Sequence, residues 1–280
     1  ATVVLEGHRE MKTRVIAAVI LVPALFAIVL AAPKIVFAII FGLLLALGAY
    51  ELLYRTGLVV HIRLMAYSAL MAFGFSLWSY FGAPESYALL GMLAFWVLLF
   101  SEMMADHVKV RIEMLGLCFF GGCVMPYLLS SLVRILNMTT GRYMILVPFI
   151  VAFLSDAGAY FVGLRFGKHK LAPVVSPHKT IEGVVGGILA AVIGMVLYAL
   201  ILDNFFAFQI NYVYAILYGL LGSIAGVFGD LSYSVIKRQT GIKDYGYLIP
   251  GHGGFLDRFD SITTVAPLME ALILLMPMAV

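Results

Sequence analysis

The sequence predicts an all-α integral membrane protein with about nine transmembrane helices. Of its 280 residues, 63% are hydrophobic and 12% are charged, whereas soluble domains are about half apolar and about a quarter charged. The apolar residues form runs of about 20, the length of helix that crosses a bilayer. Runs such as 39–45 lack the alternation of apolar and polar residues typical of a membrane β-barrel. This composition disfavours a soluble globular protein.

Nine apolar segments are predicted to be helical, because backbone polar groups in lipid must be hydrogen-bonded within the span. Their bounds are 15–32, 35–53, 64–82, 87–105, 115–135, 144–163, 184–202, 212–236 and 261–280. Segment 1–10 lacks this pattern, and we expect it to be a cloning remnant or a short extension ahead of Met11. The first run is long for a signal peptide and Pro33-Lys34 is a poor cleavage site, so we expect a span there.

The basic residues predict the orientation of these spans, because cytoplasmic loops carry an excess of Lys and Arg. With the N-terminus cytoplasmic, only Lys34, Arg134 and Arg142 fall on the external side, which leaves 15 of the 18 basic residues on the cytoplasmic side. The cytoplasmic loops are then 54–63, 106–114, 164–183 and 237–260. The C-terminus is predicted to be external.

The chain is predicted to divide into two parts after the extension. Residues 11–143 hold spans one to five and resemble a scaffold in their low polarity. Residues 144–280 hold spans six to nine and the two long polar loops, and are predicted to be the catalytic region.

Segment 234–260 is the most polar part of the chain and favours an enzyme over a transporter. It contains four basic residues, three aspartates, one histidine and five glycines. Basic side chains can neutralise phosphate charge, and glycines allow a backbone to approach a ligand closely. The candidates for these roles are Lys237, Arg238, Lys243, His252, Gly253, Gly254 and Arg258.

Carboxylates in the same region predict a site for a hard divalent ion. Asp257 and Asp260 are three residues apart, and Mg²⁺ prefers one or two carboxylates with substrate phosphates. In span eight, Asp230 shares a helix face with Ser234. The small-residue stripe Gly222, Gly226 and Gly229 should let another helix approach that span. A carboxylate at membrane depth usually faces a polar cavity or a partner, and a structural ion pair between Asp230 and a nearby lysine is the alternative.

A second basic loop precedes span seven. Asp156 lies in span six, Lys168 follows that span, and Ser176-Pro177 predicts a turn before Lys179 and Thr180. Cations beside a helix start suit phosphate binding. The alternative is that these cations only set topology or contact anionic lipids.

These segments together resemble the CDP-diacylglycerol synthase (phosphatidate cytidylyltransferase) family. The residues that carry the resemblance are Asp156-x₂-Ala159-Tyr160, Ser176-Pro177-x-Lys179-Thr180-x-Glu182-Gly183, Ser234-x-Ile236-Lys237-Arg238, Lys243-Asp244 and Ile249-Pro250-x-His252-Gly253-Gly254-Phe255-x-Asp257-Arg258-Phe259-Asp260. Glu51, at the end of the second span, is placed like a family glutamate. Spans one to five are similar to the family mainly in hydropathy.

The resemblance implies conversion of CTP and phosphatidate to CDP-diacylglycerol and pyrophosphate. It further implies Mg²⁺ with a second ion such as K⁺, a homodimer, and a site facing the cytoplasm of a bacterial cell membrane. The implied metal ligands are Asp230 and Asp257, with Asp156 and Asp260 close by. The candidate catalytic residues are Asp230, Asp257, Lys237, Arg238 and His252. The candidate substrate-binding residues are Lys168, Lys179, Thr180, Ser234, Lys243, Gly253, Gly254 and Arg258.

Two other classes of function stay open on sequence alone. A CTP-dependent lipid or polyprenol kinase would share these acids and bases. A cation-coupled transporter would use Asp156, Asp230 and Glu270 as a relay, but gives no reason for the Gly-rich charged loop. A nucleic-acid partner is not expected, because the basic residues lie against a membrane and alternate with acids.

Overall fold

The computed structural model describes residues 29, 31–206, 208–247 and 253–279. Within this part, seven helical segments are long and apolar enough to cross a membrane. Two of them, Ile112–Asn137 and Gly141–Phe166, consist of consecutive shorter helices. The predicted all-α membrane class is thus confirmed. The predicted span 15–32 lies almost wholly outside the described residues. The last predicted span is observed as a 14-residue helix, Ile262–Leu275, shorter than the usual spanning length. The total of nine spans and the orientation stay predictions.

The helices are numbered here in chain order. They are α1 (Lys34–Arg55), α2 (Ile62–Phe81), α3 (Glu85–Ala105), α4 (Ile112–Phe119), α5 (Met125–Leu129), α6 (Ser131–Asn137), α7 (Gly141–Met144), α8 (Leu146–Phe166), α9 (Ile181–Phe206), α10 (Tyr212–Thr240), α11 (Leu256–Phe259) and α12 (Ile262–Leu275). A π-helix, Phe120–Val124, joins α4 to α5. The fifth predicted span is therefore interrupted by a local change in helix type, which hydropathy does not report.

The polar loop between α8 and α9 contains a β-hairpin. Strand β1 (Lys170–Ala172) pairs antiparallel with β2 (Ser176–Thr180). The turn lies at 173–175, so the predicted turn at Ser176-Pro177 is wrong and those residues begin β2. A two-stranded ribbon consists only of edges, and an edge strand can accommodate a proline because it leaves some N–H positions unpaired.

The chain forms two compact units. The first unit comprises Ala1–Val133 and Thr240–Phe259, and the second comprises Arg134–Gln239 and Asp260–Val280. The unit boundaries therefore differ from the functional division drawn at residue 143, which stays a prediction. Phe255 and Phe259 stack with ring centroids 4.4 Å apart, and both rings contact Phe41 of α1, so these two residues pack against the first helices.

In the first unit, α1 and α2 pack closely. The Ser76 hydroxyl donates a hydrogen bond of 2.7 Å to the Ala38 carbonyl, and a Cβ atom at Gly42 would lie 2.8 Å from the Phe73 ring. The apolar core of this unit includes Leu53, Leu64, Met65, Phe75, Phe95, Leu99, Leu115 and Cys118. The two close contacts join α1 to α2, and the apolar core packs these helices with the other helices of the first unit.

In the second unit, small residues allow close helix contacts. A Cβ atom at Gly158 would lie 2.7 Å from the Gly186 carbonyl oxygen, which accounts for the tight packing of α8 on α9. A Cβ atom at Gly222 would overlap Met269 of α12. The predicted small-residue stripe of α10 is therefore confirmed as a helix-packing surface.

A half-buried ion pair also stabilises the second unit. Arg134 donates through Nε to Glu270 Oε1 at 2.6 Å and through a second guanidinium nitrogen to Oε2 at 2.8 Å. The two side chains are only 19% and 15% exposed. A bidentate pair of this kind links two helix segments and gives Glu270 a structural role.

Glu270→Gln is expected to lower stability while leaving catalysis nearly unchanged. Removing one charge of a half-buried pair should cost about 1–3 kcal/mol. The measurements are the thermal unfolding midpoint of the purified protein and the CTP-dependent activity that the family resemblance implies. A loss of that activity greater than about tenfold at unchanged stability would contradict a purely structural role for Glu270.

Candidate active site

Asp230 of α10 is the centre of a polar cluster in the second unit. Its Oδ2 contacts the Lys179 ammonium, and its Oδ1 accepts a hydrogen bond of 3.2 Å from the Ser234 hydroxyl. The Asp230 and Lys179 side chains are 26% and 24% exposed, so solvent only partly screens their attraction. The shared helix face of Asp230 and Ser234 is confirmed. The lysine comes from β2, an origin that the helical spacing did not predict.

The hairpin positions Lys179 through its backbone. Lys170 pairs with Thr180 across the two strands, and the Ile181 N–H donates to the His169 carbonyl at 2.9 Å. The Thr180 hydroxyl accepts the Gly183 N–H at 3.1 Å and so caps the start of α9. Thr180, predicted to bind substrate, thus has an evident structural role.

Glu182 clamps the base of the hairpin, a role that sequence reasoning missed. Its carboxylate accepts the backbone N–H of Lys168 at 3.1 Å and the N–H of His169 at 3.2 Å. It also lies 2.6 Å from His169 Nδ1. Its place in the first turn of a helix, where acidic residues are favoured, was the available signal. The Lys168 side chain itself is exposed.

Asp260 directly follows α11 and lies in the electrostatic field of the same cluster. Burial, together with the negative charges of Asp230 and Asp156, raises the pKa of Asp260 well above its ordinary value, while Lys237 acts in the opposite direction. Its Oδ1 accepts the Ser261 N–H at 2.8 Å. The second unit therefore brings together three predicted acids and two predicted lysines.

This donor set is suited to Mg²⁺. Carboxylate and hydroxyl oxygens are the ligands of a hard cation, and the mutual repulsion at Asp260 is what a bound divalent ion relieves. Across the described ranges, no group of three or more His, Cys, Asp or Glu side chains is placed to hold one metal ion. Magnesium needs only one or two carboxylates when substrate phosphates supply other ligands, so the cluster fits that cation.

The raised pKa of Asp260 predicts that the metal-free protein loses stability as pH rises. The folded state keeps a proton that the unfolded carboxyl releases near its ordinary pKa of about 4, so stability falls between that value and the raised folded pKa. Asp260→Asn should remove this slope and raise the unfolding midpoint at pH 8 by a few degrees. The measurement is the thermal unfolding midpoint from pH 5 to pH 8, without and with Mg²⁺. Bound Mg²⁺ should reduce the fall of the parent protein's midpoint between pH 5 and pH 8. An unchanged slope in the variant would contradict the assignment.

In the first unit, Asp257 organises the segment in which it lies. Its Oδ2 accepts the Tyr245 N–H at 2.8 Å and the Gly254 N–H at 2.9 Å. Gly253 has φ +84°, a left-handed conformation that glycine adopts without strain. A Cβ atom there would also lie 2.8 Å from Asp257 Oδ2. The lack of side chains at Gly253 and Gly254 predicted a close approach of the backbone to a ligand. In the structure the backbone approaches the Asp257 carboxylate closely.

Glu51 of α1 forms the other support of this segment. It is 4% exposed, and its two carboxylate oxygens accept the N–H groups of Phe255 at 3.2 Å and Leu256 at 3.1 Å. A Cβ atom at Gly254 would lie 2.5 Å from Glu51 Oε2. The anchor joins residues about two hundred positions apart, a pairing that periodicity cannot reveal.

The remaining predicted residues have separate positions. Arg238, in the second unit, donates from Nε to the Val175 carbonyl at 3.1 Å and so holds the hairpin turn. Lys243 and Arg258, in the first unit, are exposed, and their phosphate-binding role stays a prediction. His252 lies outside the described residues.

The fold and this cluster define a multispan membrane protein with an acid-and-lysine site suited to phosphate and a divalent ion. The model of the cytidylyltransferase family matches residues 12–276, and the chain belongs to that family. It is similar to the phosphatidate cytidylyltransferase of Staphylococcus haemolyticus, with 45% identity over 136 residues, 49% of this chain and 51% of that relative. The S. epidermidis protein of that name is 46% identical over 133 residues, 48% and 49% of the two chains.

A third relative, the phosphatidate cytidylyltransferase of S. aureus, is 44% identical over 134 residues, 48% of this chain and 50% of the relative. The chain thus spans about half the length of the curated relatives it matches.

Proposed function

We propose that the protein transfers the cytidylyl group of CTP to phosphatidate, producing CDP-diacylglycerol and pyrophosphate. The observation that carries this proposal is the cluster of Asp230 with Lys179, Asp260, Asp156 and Lys237. The family match and the names of the relatives support the same reaction class. We further propose that the protein lies in a bacterial cell membrane with this cluster facing the cytoplasm, where CTP is soluble.

The reaction requires charge neutralisation more than a general base. A phosphatidate phosphate oxygen is already anionic, so it can attack the α-phosphorus of CTP directly. The new P–O bond forms while the bond from the α-phosphorus to the bridging oxygen of the β-phosphate breaks, and pyrophosphate leaves with that electron pair. Two anions must meet, so positioning and electrostatic stabilisation dominate the barrier.

The lysines of the second unit are suited to that task. Lys179 and Lys237 would place ammonium groups on the nucleotide phosphates, and the pairing of Lys179 with Asp230 keeps its ammonium within the cluster before substrate binds. One or two of the carboxylates of Asp230, Asp156 and Asp260 would hold Mg²⁺, which when bound would supply positive charge to the phosphoryl oxygens. Asp257 belongs to the first unit, and its assignment to the metal stays a prediction.

The test is a reaction of the purified protein in detergent micelles with CTP labelled at the α-phosphate and phosphatidate. The expected result is labelled CDP-diacylglycerol and one pyrophosphate per product, with both lost on chelation of divalent ions and restored by Mg²⁺. Addition of K⁺ tests the proposed second ion. Crosslinking in the same micelles tests the proposed homodimer.

Other outcomes would identify the alternative classes. Release of CDP with transfer of the γ-phosphate to lipid would show a lipid kinase and overturn the proposal. Absence of any lipid product in micelles, together with solute uptake in sealed vesicles, would support a transporter. The partnership of Glu270 with Arg134 already gives that glutamate a structural role.

A further inference from the structure

The first unit contains a large cavity whose lining includes none of the candidate catalytic, substrate-binding or metal-binding residues. Its volume is about 750 Å³, within the range of small-molecule sites in proteins. Helices α2 and α3, the π-helix and α5 contribute its walls. The catalytic proposal therefore leaves this cavity without a role.

Three aromatic rings form one wall of the cavity. Phe75 lies with its ring centroid 6.3 Å from Trp78 and 5.9 Å from Tyr127, both in edge-to-face arrangements. The Trp78 and Tyr127 centroids are 6.2 Å apart. Aromatic rings attract cations over their faces because of their quadrupoles, most strongly for tryptophan. Trp and Tyr are also typical of the membrane–water interface, where the topology places the end of α2.

The same cavity carries one carboxylate and no basic side chain. Glu85, the first residue of α3, lines it. The Trp78 indole N–H donates to the Pro84 carbonyl at 3.3 Å, so the indole is held beside the start of α3. Glu85 is exposed and takes part in none of the ion pairs found among the described residues. An anionic ligand would be repelled here, whereas a cation would meet both the carboxylate and the aromatic wall.

Apart from Ser86, the rest of the lining is apolar. It includes Leu89, Met92, Cys123, Val124 and Leu128. These side chains can contact an alkyl chain, but in a membrane such contacts replace contacts with equally apolar lipid tails. The head group of a ligand therefore decides its preference for this cavity, which combines a carboxylate, aromatic rings and an apolar surface.

We propose that this cavity binds a cationic amphiphile, a molecule with an organic ammonium head and a single alkyl chain. The head lies between Glu85 and the Trp78 ring, and the chain lies along Leu89 and Val124. Charge complementarity favours this occupant over a neutral chain, which makes no use of the carboxylate. It also favours it over an acidic lipid, which would find no basic partner in the lining.

The chain contains two tryptophans, Trp78 and Trp96, which makes a direct test possible. Trp96 lies 46% exposed on α3 and stacks on Phe100, outside the cavity lining. In Trp96→Phe, fluorescence reports the cavity, and in Trp78→Phe it reports the general lipid-facing surface. The probe is a decyltrimethylammonium with a bromine quencher on its chain, titrated into the full chain in phosphatidylglycerol nanodiscs.

Saturable quenching of Trp78 is expected, with quenching of Trp96 rising only linearly as the probe partitions into the membrane. Adding Glu85→Gln to the Trp96→Phe protein should raise the half-saturating concentration roughly twofold to fivefold, since the charge contact of an exposed carboxylate is lost. The matched control, Glu113→Gln, removes an exposed glutamate paired with Arg111 and should leave that concentration unchanged. A decylsulfonate of equal chain length with the same bromine quencher should not give saturable quenching of Trp78.

Several results would overturn the proposal. Equal quenching of both tryptophans would mean membrane partition only, and equal affinity for ammonium and sulfonate would mean a purely apolar groove. Loss of quenching on self-association of the protein would mean that a second copy covers the cavity. The amplitude of quenching at saturation in Glu85→Gln, if unchanged, confirms that the variant is folded.

Discussion

Asp230→Asn is expected to reduce CTP-dependent formation of CDP-diacylglycerol by at least about a thousandfold. Asparagine keeps the size of the side chain but removes the charge that holds Lys179 and, in the proposal, Mg²⁺. The two side chains are only about a quarter exposed, so a loss of stability of about 1–3 kcal/mol should accompany the loss of activity. The measurements are the initial rate at saturating CTP and the thermal unfolding midpoint of each purified protein.

Two matched variants sharpen this result. Asp203→Asn removes an exposed carboxylate of α9 that accepts a hydrogen bond from Tyr212, and its activity should stay within about twofold of the parent. Asp257→Asn should lose activity together with stability, because Asp257 accepts two backbone N–H groups. If Asp230→Asn keeps its activity but unfolds earlier, Asp230 is only a structural ion-pair partner.

Glu51→Gln is expected to have the second largest effect, because it acts on the segment that contains Asp257. The carboxylate accepts two N–H groups in a buried position, whereas an amide presents one acceptor oxygen and one NH₂ group. One buried N–H then faces a donor, at a cost of about 1–3 kcal/mol. A displacement of the segment by about 1 Å would lower the rate about a hundredfold.

Hydrogen exchange separates this effect from general unfolding. The amides of Phe255 and Leu256 should exchange faster in Glu51→Gln, while those of α9 keep the exchange rates of the parent protein. Glu113→Gln in the same unit is the control, because Glu113 pairs with Arg111 at an exposed site, where ion pairs contribute little. Unchanged exchange at Phe255 would show that Glu51 does not hold the segment.

The sequence was sufficient for features set by local periodicity and composition. Apolar runs predicted the long helices, and helical spacing predicted the contact of Ser234 with Asp230. The glycines of α10 predicted a close helix contact for the same reason. Each of these predictions depends on residues within a few turns of one helix.

Features that depend on distant parts of the chain were not predictable in this way. The hairpin, and with it the arrival of Lys179 at Asp230, requires backbone pairing inside a loop that hydropathy treats as featureless. Glu182 stands in a motif, but its role depends on the backbone N–H groups of Lys168 and His169. These two residues lie 14 and 13 residues earlier in the chain, and spacing along one helix cannot reveal them. Asp257 was predicted as a metal ligand from its charge, but its observed hydrogen bonds are to Tyr245 and Gly254.

The anchoring of Phe255 and Leu256 by Glu51 has a consequence for biosynthesis. The partners are 204 and 205 residues apart, so a ribosome adding about 5–20 residues per second takes about 10–40 s to deliver them after Glu51. During that interval the carboxylate of α1 lacks these two N–H donors. The first unit can be completed only after Leu256 has been synthesised, so the newborn chain is more vulnerable to quality-control proteases throughout that interval.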